Sequence, residues 1–541
     1  MVNSTPLFML TMNVLFTILF CFFSFTAFTQ TWERIIGEPN RPEEFQNFCE
    51  SYDQGFLLLG IKEFYPETKG YLVKMDINGN PLYEVTFGIS NDQRNVPQYI
   101  SSTNDGGVII CGAHENWSSY GDIGIIKLDA CGDLEWCTIW RTDSLTDWGR
   151  EIHQLADGGY IMLVQQNNDD SSNVWLYRLN QDGNPLWRQS YVNYSQYPVN
   201  PSIMEDLHMT FQCNYLLSGK CWWCDSTEWC RLKAMVVQVD SSGSEEWVSG
   251  FMTEDTNYYT SGNNGTQKGS GNYYIGATNS IEGPVFIEYP PMLIVMDTLG
   301  NFLRDTLPQI PDIGTYIAEG FLQDLLFTSD GKLFTHTDMT NDPYDYIGHF
   351  SLHELDSLGG WHNSFLRLGA HSYRSKTKLT SDGKILAGSV VGETTIEQDL
   401  ILMKFNTSLQ YDSIYTVPLE YDYLCPDTII SKTIDLDCEV IVDVKDIPTK
   451  EEYYRSIKQI HLTPAPNPAS DEIRFMLKNT EHHKNIRIIC YNMFGAQIAT
   501  IPVNSGVDET KLDVSSWTPG MYMAVVYAGN RQVGSSRFIV Y

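Results

Sequence analysis

Cys221-Trp222-Trp223-Cys224, followed by Cys230, is the densest run of reactive side chains in the sequence. With Cys213 as a fourth sulfur it has the donor number of a structural zinc site, and a CxxC pair alone could exchange disulfides. The spacing matches no known zinc knuckle, so disulfides are the expected state in an oxidising compartment. Cys131 with Cys137 and Cys425 with Cys438 are further close pairs. Of the 12 cysteines one, Cys21, lies in an apolar leader, and the odd remainder leaves at least one thiol unpaired. No catalytic constellation accompanies them: there is no G-x-S-x-G, H-E-x-x-H or G-x-x-x-x-G-K-[ST]. His353-Glu354 lacks a second His, and His482-His483 read as solvent-facing. No catalytic residue, metal or cofactor is assigned. Trp222, Trp223, Asp225, Glu228 and Trp229 remain candidates for ligand binding, because indole faces beside carboxylates suit a sugar or a cationic peptide. The competing reading has these Trp packing against the chain or capping a sheet edge.

The elements around these residues are set by a repeat. Asp53-Gln-Gly-Phe-Leu-Leu-Leu-Gly60 leads to Leu72-Val-Lys-Met-Asp76 and Gly79; Asp105-Gly-Gly-Val-Ile-Ile-Cys-Gly112 leads to Ile126-Lys-Leu-Asp129 and Gly132. The phrase returns at Asp157, Asn214, Gly271, Asp330 and Asp382, at a spacing of about 50 to 60 residues. Each copy holds short apolar runs bounded by Gly, Asp and Asn, the residues that tight hairpins require. Four short strands repeated seven times predict a seven-bladed β-propeller over 31–416, with a β-solenoid as the alternative. The strands at Thr31–Gly37 and Tyr411–Tyr415 lie outside the copies, so one end is expected to complete the blade begun by the other. The Trp that leads the last strand of several copies reads as packing between blades. The units resemble the "DGGYIL…G…KLD…G…W" repeats of bacterial surface propellers and, more loosely, kelch and quinoprotein blades.

Residues 1–30 read as a secretory signal, apolar from Leu7 to Ala27 and polar from Thr29. No Lys or Arg precedes Arg34, which leaves open a start at Met12, and the run is long enough for an uncleaved anchor. No other apolar run reaches membrane length, so no stable transmembrane segment is expected once the signal is removed. The net charge is −32, with 67 acidic against 35 basic side chains. That balance excludes nucleic acid as a partner, because phosphate binding needs clustered Lys and Arg.

After an acidic connector at 417–460 the pattern changes, and short turn-punctuated strands over 461–541 predict a small β-sandwich. Pro466-Asn467-Pro468-Ala469-Ser470, Tyr491-Asn-Met-Phe-Gly495, Trp517-Thr-Pro-Gly520-Met-Tyr522 and Arg537-Phe-Ile-Val540 follow in order to the chain end. They resemble the type A sorting domain of the type IX secretion system, with Asn492 and Gln497 as departures. The resemblance implies export through the periplasm, interaction with that machinery, removal of this domain, and a secreted or outer-surface location. The alternative is a generic carbohydrate-binding or immunoglobulin-like sandwich. The whole therefore reads as an all-β, exported binding or adhesion platform for a glycan or protein ligand. A secreted glycan hydrolase or lyase with a site on the propeller axis is the alternative. The mature surface protein is expected to lack the leader and the segment after about Leu462. Mass spectrometry of surface protein that recovers Gly520 and Tyr522 peptides at full stoichiometry would contradict this.

Overall fold

A computed structural model describes residues 31–541 apart from 39–41, 65–66, 90–92, 117–120, 142–145, 169–170, 192–202, 225–229, 252–259, 283–286, 342–347, 393–397, 422, 426, 443–446, 457–459, 479, 481–482, 493–495 and 530. The expected leader lies outside these residues. The chain divides into two units, 1–175 with 191–443, and 176–190 with 444–541.

The described chain opens with β1 (Glu33–Ile36), which pairs far ahead in sequence. There follow β2 to β5 (Glu43–Glu50, Phe56–Phe64, Glu67–Met75, Pro81–Gly88) and β6 to β9 (Gln93–Ser102, Val108–Asn116, Asp122–Leu128, Leu134–Arg141). Next come β10 to β13 (Thr146–Gln154, Tyr160–Asn168, Ser171–Leu179, Pro185–Ser190) and β14 to β17 (Ile203–Met209, Tyr215–Cys224, Cys230–Val239, Glu245–Phe251). The fifth group is β18, β19, β22 and β23 (Thr260–Gln267, Tyr273–Asn279, Pro291–Met296, Phe302–Thr306), with a small hairpin β20–β21 (Ile281–Glu282, Ile287–Glu288) inserted. Then come β24 to β26 (Ile317–Phe327, Leu333–Thr340, His349–Leu355), β27 (Trp361–Leu379), β28 (Ile385–Val391) and β29 (Asp399–Phe405).

Each group is an antiparallel meander, and the seven meanders are called sheets below: the third, fourth and fifth are separate four-stranded sheets, the first two join through a β4–β6 bridge, and the last two share β27. The first part of β27 pairs with β26 and the last part with β28, which joins the sixth sheet to the seventh. The seventh sheet takes its fourth strand from the other end of the chain: Glu33–Ile36 pair antiparallel with Met403–Leu400. Trp32, 1% exposed, fixes this strand by donating from Nε1 to the Ile77 carbonyl at 3.0 Å in the first sheet. Its ring lies where a Cβ on Gly79 would stand, 2.8 Å away, so only glycine fits that turn. Trp247 lies in the same way against the Gly300 turn of the following sheet. The aromatic-led strands thus pack one sheet on the next, as the repeat predicted.

The recurring Asp and Lys have structural roles. In every sheet the Asp or Asn that ends the third strand accepts from the backbone N–H groups two and four residues on. At Asp129 both bonds are 2.8 Å, and at Asp356 they are 2.7 and 2.8 Å. The Gly three residues on sits at positive φ, from 73° at Gly132 to 85° at Gly359, and Leu409 takes that place in the last sheet at 58°. The Lys two residues before that Asp reaches back to the Asp of the first turn in the same sheet. Lys74–Asp53 is 2.6 Å, Lys127–Asp105 2.9 Å and Lys404–Asp382 2.9 Å. The sixth sheet reverses the sign, with Glu354 on the strand and Lys332 on the turn at 2.8 Å.

Residues 417–443 are bound to the first two sheets. Strand β30 (Lys432–Asp435) runs parallel to β5, and β31 (Glu439–Val442) parallel to β9. Disulfides join Cys131 to Cys425 and Cys137 to Cys438. This corrects the expected pairings within Cys131/Cys137 and within Cys425/Cys438. Parallel addition lays the connector beside the second sheet, so each cysteine meets a partner about 300 residues away rather than its sequence neighbour.

In the second unit Thr449 and Glu452 close a reciprocal cap, with Thr449 N–H donating to Glu452 Oε2 at 2.8 Å, and start α1 (Lys450–Ser456). Seven strands follow: β32 (His461–Ala465), β33 (Glu472–Lys478), β34 (Ile486–Asn492), β35 (Gln497–Val503), β36 (Glu509–Asp513), β37 (Gly520–Ala528) and β38 (Arg531–Val540). They form sheets β32-β33-β36 and β35-β34-β37-β38 around one core that includes Phe475, Ile488, Tyr522 and Phe538. The residues leading into the Pro466-Asn467-Pro468 motif are strand, with Leu462–Ala465 paired to Leu477–Arg474.

Non-reducing peptide mapping is expected to recover Cys131 linked to Cys425 and Cys137 linked to Cys438. Reduction should destabilise the chain by about 2–4 kcal/mol per bond. Recovery of a Cys131–Cys137 link would refute this arrangement.

Candidate functional site

The first strand of every sheet, β2, β6, β10, β14, β18, β24 and β27, lines one cavity of about 1050 Å³. Each of these strands carries a register shift against its neighbour, at Phe45/Asn47, Pro97/Tyr99, Gly149/Glu151, Met204/Asp206, Gly262/Asn264, Glu319/Gln323 and His371/Lys376. A bulge re-aims the side chains beside it. The residues at or next to these shifts, Asn47, Tyr99, Glu151, Asp206, Asn264, Asp324 and Lys376, all line the cavity. In the second sheet the bulge comes so close that a Cβ on Gly112 would stand 2.2 Å from the Val96 carbonyl oxygen. That explains the glycine ending the apolar run of this repeat. Asp324 holds a left-handed φ of 47°, a conformation that costs an L residue free energy and is concentrated at functional positions.

The ring is rich in titratable groups. Glu151 Oε1 lies 2.8 Å from His153 Nε2, and Glu151 Oε2 accepts from Leu207 N–H at 2.8 Å. Burial works to raise the Glu151 carboxyl, but these hydrogen bonds and the His153 charge hold it below its ordinary range. Asp206 is the opposite case. Enclosure, and then the Glu151 charge, push its carboxyl well above the ordinary range, although Gly265 N–H donates to it at 3.1 Å. Asp324 accepts from Thr377 N–H at 2.6 Å and pairs with Lys376 at 3.4 Å; its charge holds the Lys376 ammonium protonated. A neutral acid beside an ionised carboxylate that orients an imidazole can donate one proton and accept another. Amide side chains of Gln46, Gln98, Asn263, Gln267 and Gln323 and the rings of Trp148 and Phe327 complete the lining.

Behind Asp324 the sixth sheet buries two imidazoles. His336 Nδ1 lies 3.3 Å from Thr377 Oγ1, and His353 bridges Ser351 Oγ at 2.8 Å and Ser364 Oγ at 2.7 Å. Burial lowers their pKa to about 4 and about 3.

The ligand candidates drawn from the sequence lie elsewhere. Trp222 and Trp223 are on β15, in register with Leu232 and Arg231 on β16, and Cys224 stands opposite Cys230. Asp225, Glu228 and Trp229 lie outside the described residues. Cys221 is a buried free thiol, and Cys213 is an exposed free thiol at positive φ, so the expectation that Cys221 pairs is corrected. Cys221 sits inside a continuous β15–β16 ladder facing Lys233, where no second sulfur stands opposite. Among the described residues no His, Cys, Asp and Glu cluster could hold a metal ion. In the second unit, Asn467 Oδ1 accepts from Ile539 N–H at 2.9 Å, and Ala469 N–H donates to the Ile539 carbonyl at 2.8 Å. These bonds tie the Pro466–Pro468 segment to the last strand. Tyr522 is buried and donates to the Thr518 carbonyl at 2.7 Å; Gly520 begins β37, and Gly495 lies outside the described residues. The cavity ring was missed in the sequence. Its signal is one column of the repeat, the position occupied by Asn47, Tyr99, Glu151, Asp206 and Asn264.

The His353 ring stays neutral in the fold below the range where the unfolded chain takes up a proton, about pH 6.5. Its stabilising effect is complete above that pH and falls away as pH drops toward the folded value of about 3. Between pH 7 and pH 4 the wild type should therefore lose about 3 kcal/mol more stability than His353→Gln, as read by denaturant melts. Parallel pH profiles would refute this assignment.

Residues 465–541 match the family described as the secretion system C-terminal sorting domain. No curated protein matches the chain. Among solved structures, a protein of unknown function from Dyadobacter fermentans is 10% identical over 69% of this chain and 97% of its own, with a TM-score of 0.39. The polysaccharide lyase Uly1 is 8% identical over 69% and 89%, with a TM-score of 0.42. A family 32 glycoside hydrolase from Bifidobacterium adolescentis is 10% identical over 94% and 95%, with a TM-score of 0.30. At these scores the likeness bears on neither activity nor ligand. Among the described residues no helix is long and apolar enough to cross a membrane. The C-terminal domain is a type IX sorting domain, and it directs this chain to secretion and the cell surface.

Proposed function

We propose that the seven sheets close into a seven-bladed β-propeller and that its axial channel binds a saccharide once the sorting domain has delivered the chain to the surface. Closure is supported by the shared seventh sheet and by the Trp32 bond to the first. The observation that carries the ligand reading is the single cavity lined by the first strand of all seven sheets. Its amides offer a donor and an acceptor each, which complements hydroxyl groups that are both, and Trp148 and Tyr99 offer ring faces. On this reading residues 31–416 are the platform, with 417–443 strapped to it.

A second reading, a glycan-active hydrolase or lyase on the same axis, is favoured by the Glu151–His153 pair beside the Asp206 carboxyl. The loop with Trp222, Trp223, Asp225, Glu228 and Trp229 would be an additional recognition surface.

The full chain applied to a glycan array is expected to retain a saccharide. Trp148→Ala and Gln98→Ala should each weaken binding about tenfold, and the triple Trp222, Trp223, Trp229→Ala variant should leave it intact. The opposite pattern would move recognition to the loop. Release of shortened products by the wild type, lost in Asp206→Asn, would establish the enzyme reading; retention of the glycan uncut would exclude it.

A further inference from the structure

We infer that the saccharide held in the channel is acidic, with a carboxylate or sulfate group seated at Lys378. This rests on the channel reading above and adds the charge of the ligand to it.

The cavity holds three cations, Arg150, Lys376 and Lys378, on two of the first strands, among the carboxyl groups of Glu44, Glu151, Glu205, Asp206 and Asp324. Their partners differ. Lys376 is paired with Asp324 at 3.4 Å. Arg150 is 3.7 Å from Glu205, which Lys220 approaches more closely, at 3.3 Å. Lys378 forms no ion pair with any described residue. Its ammonium donates to the Phe48 carbonyl at 2.7 Å and lies over the rings of Phe48 and Tyr99, at 5.5 and 4.8 Å from their centroids. An ammonium has three donors, and one is used here. The cation is thus held in place by one carbonyl and two aromatic faces, and the carboxylates that act on it, Glu151 and Asp324, do so from beyond ion-pair distance.

A second observation points the same way. Three buried polar atoms of the lining lack a hydrogen-bond partner, Gln46 Nε2, Asn47 Nδ2 and Arg150 Nε, and all three are donors. Asn47 is 1% exposed, and its Oδ1 already accepts from Phe48 N–H at 2.7 Å, which turns the orphaned amide N–H group away from that bond. Orphaned buried donors are costly, and an oxygen-rich anion is the group that relieves them. Burial also depresses the Lys378 ammonium, which is consistent with a cation awaiting a counter-charge. Neutral saccharides would satisfy the amides and leave Lys378 uncompensated.

Calorimetry on the full chain tests this with four probes: an oligogalacturonide, a sulfated galactan oligosaccharide, a neutral cello-oligosaccharide of matched length, and inorganic sulfate. At least one acidic oligosaccharide is expected to bind tenfold or more tightly than the neutral one. It should also weaken several-fold as salt rises from about 50 to about 300 mM. The two acidic probes separate a carboxylate from a sulfate ligand. Lys378→Met should bring the ratio of acidic to neutral binding close to one, and Lys378→Arg should restore part of it. If Lys378→Met does not fold, the wild-type salt dependence and the Arg variant decide. Equal binding of neutral and acidic oligosaccharides overturns the charge inference while the saccharide reading stands. Sulfate alone binding as tightly as the oligosaccharides reduces the site to an adventitious ion only and overturns it. Binding of none of the four overturns the channel reading first and this inference with it.

Discussion

The buried pairing of a strand lysine with a turn aspartate ties turn to strand in three sheets, and it recurs with the signs exchanged in a fourth. Lys74, Lys127 and Lys404 are almost wholly enclosed, and each reaches the first turn of its own sheet. A buried pair adds little net stability over an apolar one, but removing one partner leaves an uncompensated charge. The pair therefore acts as a specifier. It fixes which turn lies beside which strand and sets the register of the sheet. The sixth sheet shows that the constraint is the pairing and not the residue, since Glu354 and Lys332 keep it with the signs exchanged.

Fixing one end of every sheet leaves the opposite end free to vary. The turns that hold the Asp, Asn and Gly residues are short and nearly identical around the unit. The connections at the other end differ in length, and the β20–β21 hairpin of the fifth sheet lies among them. Between the ends, the bulge in each first strand lets one side chain per sheet line the cavity without disturbing the ladder behind it. Scaffold and site are thereby separated within a single strand.

That separation decides what could be read from the sequence. The seven copies, their turns, the packing role of Trp32 and the completion of the last sheet by the N-terminal strand were legible, because each motif residue has a local job repeated several times. The cavity ring was not, because the bulged column holds Asn47, Tyr99, Glu151, Asp206 and Asn264, two amides, a phenol and two carboxyls with no common residue type to mark the position. The cysteine pairing failed for another reason. Proximity in sequence was taken for proximity in space, whereas β30 and β31 add in parallel and carry Cys425 and Cys438 to distant partners. The sorting domain was legible from four ordered motifs, and the extra strand at His461–Ala465 was hidden by its prolines.

The borrowed strand of the seventh sheet also governs how the chain folds. Residues Glu33–Ile36 find their place only beside Asp399–Phe405, so the first strand made is among the last to be secured. Such a contact closes a loop of several hundred residues, and the entropy of that closure must be met before any of its hydrogen bonds are gained. Individual sheets can form early from local hairpins, while the assembled whole waits for its final repeat. The locking step then depends on arrival of the far end of the chain rather than on the speed of any one sheet.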